Sequence, residues 1–341
     1  MNSGYAVVRT TESIPVNQNT NHVLVTGGCG YIGSHTAKAL KQKGYRVTIL
    51  DWTRRDHTLK FCDDFVHADY DSETTYQYIK LNKPGAIVHC AGYISVGESV
   101  QNPSKYYINN VAKTARFLQQ LITKSTPPAI VFSSSASVYG NPASVPITED
   151  FPIQPMSPYG QTKAMTEQML KSFSHAYGLP SICLRYFNAC GADPYNYELG
   201  QELGAGHIIA RLLEARLRNQ TFTLNGTDFS TRDGTCIRDY IHVWDLSQAH
   251  VLSIEHLFEH KQTLQLNLGT NMGFSNKEVV DTVNRVVGPV EVEYGPRRAG
   301  DPDCLIADAT HAKSVLGWQP QYSTLPVIVD TAWKWYNGQR I

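Results

Sequence analysis

The sequence predicts an α/β protein built on a doubly wound, Rossmann-like parallel sheet, with a smaller lobe in its C-terminal part. Three observations predict it. Short apolar runs alternate without interruption with stretches whose apolar residues fall at helical spacing, and that alternation requires parallel pairing with helices on both faces. A glycine-rich turn lies between the first apolar run and the first helical stretch. Residues suited to chemistry recur at the ends of the apolar runs, where ligands gather on sheets of this kind.

His22-Val23-Leu24-Val25-Thr26 reads as a buried strand that ends in Gly27-Gly28-Cys29-Gly30-Tyr31-Ile32-Gly33. A helix follows, with Ala37 and Leu40 inward, and stops at Gly44. Glycines 27, 30 and 33 suit a tight turn, a close backbone approach to a pyrophosphate, and close helix–strand packing; the helix N-terminus then meets the phosphates. The next strand, Val47-Thr48-Ile49-Leu50, ends in Asp51. A carboxylate at that spacing suits the adenosine ribose hydroxyls and disfavours a 2′-phosphate, which favours NAD. Arg54 and Arg55 nearby are residues that also serve a 2′-phosphate.

Phe65-Val66-His67-Ala68-Asp69 and Ala86-Ile87-Val88-His89-Cys90-Ala91-Gly92 are further strands ending in turn residues. Asn102-Pro103 opens a long helix through Lys124, with Tyr106, Val111, Ala115, Leu118 and Ile122 at helical spacing. Ala129-Ile130-Val131-Phe132 is the next strand and runs into the turn from Ser133 to Gly140. Ser157 is a good N-cap and Pro158 suits the first helical position, so a helix starts there and closes at Gly178. Tyr159 and Lys163 stand one turn apart on its face. A free tyrosine ionises near pH ~10, so a phenolate base at neutral pH needs a shift of roughly 3 units, about 4 kcal/mol. A lysine and one further positive charge in a water-excluding site supply that. The same spacing at Tyr76…Lys80 has no cap and no strand end beside it.

Composition bounds the function. The chain has 341 residues, enough for two lobes, and its 30 basic and 30 acidic residues cancel. That balance argues against nucleic acid or an anionic membrane as a general partner. Seven scattered cysteines without a close pair read as reduced thiols of a cytoplasmic protein rather than a disulfide frame or zinc site. No apolar run approaches the ~20 residues that span a bilayer. Residues 1–20 are polar, without a signal-peptide core, and are expected to form a loose tail. His256-Leu257-Phe258-Glu259-His260 matches a zinc-protease spacing, but Leu257 and Phe258 continue the apolar face of Val251 and Ile254, so no metal site is expected.

Several blocks together carry a resemblance: the Gly-Gly-x-Gly-Tyr-Ile-Gly turn, Ala91-Gly92 with Val96-Gly97-Glu98-Ser99-Val100, Ser133 to Gly140, Ser157 to Lys163, Leu184-Arg185-Tyr186-Phe187-Asn188, and Asp233 to Val243 with Arg238. From about residue 22 to its end the chain resembles the UDP-glucose 4-epimerase family of extended short-chain dehydrogenase/reductases. The resemblance implies Ser135, Tyr159 and Lys163 as catalytic residues, with NAD as cofactor. It implies cofactor contacts from Gly27, Gly30, Tyr31, Ile32, Gly33, Asp51, Asp69, Ala91, Gly92, Asn109 and Tyr186, besides Tyr159 and Lys163. For a UDP-sugar it implies Arg238 and Arg298 as pyrophosphate clamps, Asn188 beside them and Asp301 on the uridine ribose. Ser135 and Tyr159 would face the reacting oxygen, and Leu305 would line the pocket at the sugar C2 substituent. Related 4,6-dehydratases place an Asp-Glu pair where this chain has Ala136 and Ser137, so elimination lacks its acid and base. Two departures stand out: Trp52 in a short Asp51–Asp69 loop, where many relatives carry asparagine, and Ile94, where some carry lysine.

The expected division is a tail of residues 1–20, an NAD-binding unit of 21–188 with 239–268, and a UDP-sugar lobe of 189–238 with 269–341. By resemblance the helices from Asn102 and Ser157 pair across a homodimer. The leading expectation is C4 epimerisation of a UDP-hexose, UDP-galactose with UDP-glucose, extended by Leu305 to the N-acetylhexosamine pair. The second is a UDP-pentose or UDP-hexuronic acid 4-epimerase on the same fold. The third is a non-catalytic NAD-binding regulator, which need not keep Ser135, Tyr159 and Lys163 together.

Overall fold

Val23 and Val25 point into one buried core and Leu24 into another, because successive side chains on a strand face opposite sides of the sheet. That alternation repeats along the central strands and explains why both sheet faces carry helices. The computed structural model describes residues 21–122, 126–202, 204, 206–297 and 301–338. Its centre is a seven-stranded parallel sheet of β1 (His22–Thr26), β2 (Arg46–Asp51), β3 (Asp64–His67), β4 (Ala86–His89), β5 (Ala129–Ser135), β6 (Ser181–Tyr186) and a late strand, Leu264–Leu268. The order is Leu264–Leu268, β6, β5, β4, β1, β2, β3. The chain winds outward from β1 in one direction and from β4 in the other, so a crevice opens above their carboxyl ends.

Helix α1 (Tyr31–Gln42) packs under the first core, and α2 (Asp56–Leu59) is a single turn in the loop after β2. Helix α3 (Glu73–Asn82) covers the second core through Ile79. After α4 (Val96–Gln101) the expected long helix is divided. Asn102 caps α5 (Pro103–Tyr106), a π-helical stretch runs over Tyr107–Lys113, and α6 (Thr114–Leu121) completes it. The wider turns bury two consecutive residues, Asn109 and Asn110, which a regular helix would point in different directions. Helix α7 (Pro158–Tyr177) begins as expected: the Ser157 hydroxyl accepts from the Gly160 amide at 3.1 Å, and Gly178 closes the helix in the left-handed region.

The remaining elements are β7 (Asn188–Cys190), α8 (Ile208–Arg218), β8 (Phe222–Asn225), β9 (Ile237–Arg238), β10 (Tyr240–His242), α9 (Val243–His260), β11 (Leu264–Leu268, the late strand of the large sheet), β12 (Phe274–Ser275), α10 (Asn276–Val286), β13 (Val292–Gly295), β14 (Cys304–Leu305), α11 (Thr310–Leu316) and α12 (Leu325–Gly338). Helices α8, α10 and α12 enclose a separate core around Leu212, Val283 and Ile328. Ala309, Ala312, Leu316 and Trp318 instead join the large-sheet core with α9, so this stretch of the expected 269–341 lobe packs with the large sheet. Strand β9 pairs with β12 and β14, setting Leu305 opposite Arg238. Among the described residues no helix is long and apolar enough to cross a membrane.

Candidate active site

The glycine turn is fixed by its own backbone. Gly27 takes φ +66°, and a Cβ there would lie 2.7 Å from the Ala91 amide nitrogen; one on Gly33 would lie 2.2 Å from the Gly27 carbonyl oxygen. Only hydrogen fits at either place, so α1 starts directly against the turn with its first amides unpaired by the helix. Asp51 closes the other side of the crevice: its carboxylate accepts from the Cys29 amide at 3.0 Å and the Thr53 amide at 2.9 Å. Burial pushes the Asp51 carboxyl up, and those amides and Arg55 oppose it. The cavity here, about 190 Å³, is lined by Gly27, Gly30, Asp51, Asp69, Ala91, Gly92 and Asn109 among others. Nitrogen donors at the turn and a carboxylate beyond it are what a dinucleotide without a 2′-phosphate needs. The two arginines are already engaged: Arg54 with Asp56 at 2.8 Å, Arg55 with Glu202 at 2.6 Å and the Cys29 carbonyl at 3.1 Å.

Other residues expected at the cofactor divide by what their side chains do. The Tyr31 hydroxyl donates to the Gly191 carbonyl at 2.7 Å, and the Ile32 side chain packs against the first core. Asn109 is buried and donates to Asn110 Oδ1 at 3.0 Å, while Asp69 is paired with Lys113. Tyr186 turns its hydroxyl into the core, 2.9 Å from Ser133 Oγ and 2.5 Å from His250 Nε2.

Tyr159 and Lys163 sit one turn apart on α7 and are 8% and 4% exposed. Lys163 Nζ donates to the Ser133 carbonyl at 2.6 Å and lies 5.8 Å from the centre of the Tyr159 ring. Ser135, at the end of β5, accepts from the Ser137 amide at 3.2 Å, which fixes its hydroxyl at the sheet edge. Burial pushes the Tyr159 phenol up, and the Ser135 hydroxyl pulls the other way. Burial also lowers the Lys163 ammonium to about 8. Burial thus favours the protonated phenol, and a positive charge beside it would favour the phenolate.

The residues expected at the substrate stand around β9 and β14. Arg238 donates to the Ile237 carbonyl at 2.8 Å and stands opposite Leu305. Leu305 packs with Ala136, Val138 and Phe187 in a small cluster beside the β5 turn. Asn188 pairs with Tyr240 at the start of β7. Asp301 lines a second cavity of about 60 Å³ with Arg211, Asn225 and Asn276. Arg297 is held by Asp228 at 3.1 Å and Asp303 at 2.8 Å; Arg298 lies outside the described residues. His256 shares a hydrogen bond with Gln262 on the outer turn of α9 and takes no part here.

Sequence reasoning missed three groups. Arg211, Asn225 and Asn276 come from separate elements, and nothing in their local pattern joins them to Asp301. Tyr93 lines the first cavity beside Trp52, which the sequence marks only as a departure in the Asp51–Asp69 loop. Glu167, four residues beyond Lys163, binds Arg185 at 2.6 Å and Ser134 at 2.5 Å inside the protein. Its i+4 spacing from Lys163 and the charge at Arg185 inside a strand were signals that could have found it.

Comparison with known proteins agrees with this geometry. Residues 23–269 match the NAD dependent epimerase/dehydratase family. The chain is 42% identical over 320 residues to a UDP-glucose 4-epimerase of Halalkalibacterium halodurans, covering 92% of this chain and 95% of that one. The solved UDP-glucose 4-epimerase of Brucella ovis, in complex with NAD, superposes with a TM-score of 0.87 at 42% identity, covering 92% and 98% of the two chains. That of Bifidobacterium longum, in complex with NAD+ and UDP, gives 0.86 at 33% identity, covering 93% and 98%.

Proposed function

The chain belongs to the NAD dependent epimerase/dehydratase family, and from that premise we propose that it is an NAD-dependent UDP-glucose 4-epimerase, interconverting UDP-galactose and UDP-glucose through a transient 4-keto sugar. The observation that carries this is the buried pair Tyr159 and Lys163 with the half-buried Ser135 at the carboxyl end of β5, on the same sheet whose β1 and β2 ends border a cavity suited to a dinucleotide, with Ala136 and Ser137 in place of an eliminating acid–base pair.

When bound, NAD supplies a reversible hydride acceptor for C4 and a positive charge beside the phenol. Tyr159 takes the proton of the sugar 4-hydroxyl and later returns it. Lys163, anchored on the Ser133 carbonyl, stabilises the phenolate across the 5.8 Å to the ring centre. Ser135 hydrogen-bonds the reacting oxygen. The nucleotide stays fixed while the sugar turns: Arg238 and Arg298 clamp the pyrophosphate with Asn188 beside them, and Asp301 with Asn225 receives the uridine end. The exposed apolar face shared by α4, the π-helical stretch and α7 supports a homodimer, and the reduced cysteines fit a cytoplasmic setting.

The test is turnover of UDP-galactose by purified protein without added cofactor, alongside UDP-arabinose and UDP-glucuronate as the competing substrates. UDP-galactose is expected to turn over fastest, with no NADH accumulating. Tyr159→Phe should lower that rate by orders of magnitude while UDP still binds. Fastest turnover of the pentose or the uronic acid would overturn the hexose assignment, and a near-normal Tyr159→Phe rate would overturn the base.

The width of the sugar pocket is a separate point. Leu305 stands beside Arg238 and against the β5 turn, and its side chain leaves more room than a tyrosine would. UDP-N-acetylglucosamine is therefore expected to turn over as well. Leu305→Tyr should suppress the acetamido substrate about ten-fold or more and leave UDP-galactose largely unaffected, a discrimination built on a clash. Equal losses on both substrates would show that Leu305 only supports the fold.

A further inference from the structure

Strands β2 and β4 flank β1 in the sheet, so the chain segments leaving them stand on opposite sides of the glycine turn. Trp52 follows β2 and Tyr93 follows β4. Parallel strands are ~4.8 Å apart, so two segments separated by a third strand start about 10 Å from each other. Yet the Trp52 and Tyr93 rings meet, with centroids 5.8 Å apart and planes tilted by 59°. Their contact crosses above β1, and both rings line the cavity that also contains Asp51, Asp69 and Gly92.

Each ring is held from outside. The main chain of Tyr93 is gripped at both polar atoms by one side chain: its amide donates to Asn110 Oδ1 at 2.9 Å, and its carbonyl accepts from Asn110 Nδ2 at 2.9 Å. The Lys105 ammonium lies 4.1 Å from the Tyr93 ring centre. Lys113, paired with Asp69, lies 6.0 Å from the Trp52 ring. The π-helical stretch thus supplies both Asn110 and Lys113, and the irregularity in that helix has a use. Trp52 remains 54% exposed, a large ring left open at the mouth of a ligand cavity.

We propose that Trp52 and Tyr93 form an aromatic clasp over the adenosine half of the bound dinucleotide, with the indole as a stacking surface that slows its escape. This rests on the NAD reading above. A reaction that regenerates its cofactor at every turnover has no need to exchange it, so slow release costs the enzyme nothing in rate.

The experiment follows exchange of bound NAD for radiolabelled NAD in the purified holoprotein, with separation by gel filtration. Trp52→Ala should exchange about ten-fold faster than the parent, as expected for loss of one aromatic stacking contact. Trp52→Phe keeps a ring and should stay within about three-fold of the parent. Stripping and re-adding NAD should change tryptophan emission in the parent more than in Trp52→Phe, because only the former has an indole at the cavity mouth. Should Trp52→Ala fail to fold, Tyr93→Leu carries the same exchange measurement from the other side. Equal exchange in Trp52→Ala and the parent, with NAD present in both, would overturn the clasp and leave the cofactor reading intact. A parent that neither holds nor binds NAD would overturn both together.

Discussion

Lys163 holds its ammonium in a place where burial opposes the charge, and its pH behaviour follows from that. The group titrates near 10.5 when unfolded and is lowered to about 8 in the folded, ligand-free protein. Between these values the unfolded chain binds more protons than the native one, so stability rises as pH rises from about 8 toward 10.5. The contribution is fully present above the unfolded value and is lost as pH falls through about 8. Lys163→Met has no such group. In cofactor-free protein, the unfolding free energy of the parent should therefore gain about 1.6 kcal/mol on that of Lys163→Met between pH 8 and pH 9.5. Urea titrations of both proteins at the two pH values measure it, and parallel profiles would mean that Lys163 is not desolvated as the structure implies. At neutral pH the lysine is mostly charged, which is the state a phenolate neighbour requires.

Helix α7 gathers Tyr159, Lys163 and Glu167 along one stripe, and the last of these ties the stripe to the sheet. Glu167 receives Arg185 Nε at 3.0 Å and its terminal nitrogen at 2.6 Å, while Arg185 also donates to the Tyr139 hydroxyl at 2.7 Å. Tyr139 donates onward to Asn267 Oδ1 at 2.7 Å. The network thereby fixes α7, β6, β11 and the turn after β5 relative to one another, and Ser135 is the last residue of β5, directly before that turn. Glu167→Gln leaves a buried guanidinium without its counter-charge and should destabilise the protein by about 3 kcal/mol. The pair Glu167→Leu with Arg185→Met should recover most of that stability, since apolar replacements of a buried ion pair are often neutral. It should not recover kcat, because the turn next to Ser135 loses its directional ties. Denaturant unfolding beside kcat separates the two effects, and full recovery of both would reduce the pair to packing. Elements of this kind were legible in the chain only where the cause is local. Ser157, Pro158 and Gly178 announce α7, and Gly27 to Gly33 announce the phosphate turn, because caps and tight turns are set by neighbouring residues. The π-helical stretch was not legible, since what widens it is the tertiary demand of Asn110 on the Tyr93 backbone. Asn225 and Asn276 were hidden for the same reason: only folding brings them to Asp301.

The single chain leaves several large apolar side chains exposed on neighbouring helices. Val96 and Val100 on α4, Ile108 in the π-helical stretch and Met165 on α7 are all exposed, Val100 at 62% and Ile108 at 56%. Helices α4, α5 and the π-helical stretch all pack against α7, so these side chains stand on adjoining helices. Single exposed apolar residues are ordinary on a soluble protein, whereas a run of them on adjoining helices marks a docking face. The formal net charge of zero offers no general repulsion against self-association. A second copy of the chain, related by a two-fold axis, would set the same helices against themselves and bury each side chain twice. A stable contact of this type requires about 1,000 Å² or more, which helices of this length can supply when paired. Light scattering of the purified protein should therefore give the mass of two chains. Val100→Glu with Ile108→Glu places two like charges on each side of the expected seam and should shift that mass to one chain, with bound NAD retained because the glycine turn and Asp51 are untouched. An unchanged mass in the double variant would move the interface elsewhere on the surface. A single-chain mass in the parent would leave the apolar face without a self-association role.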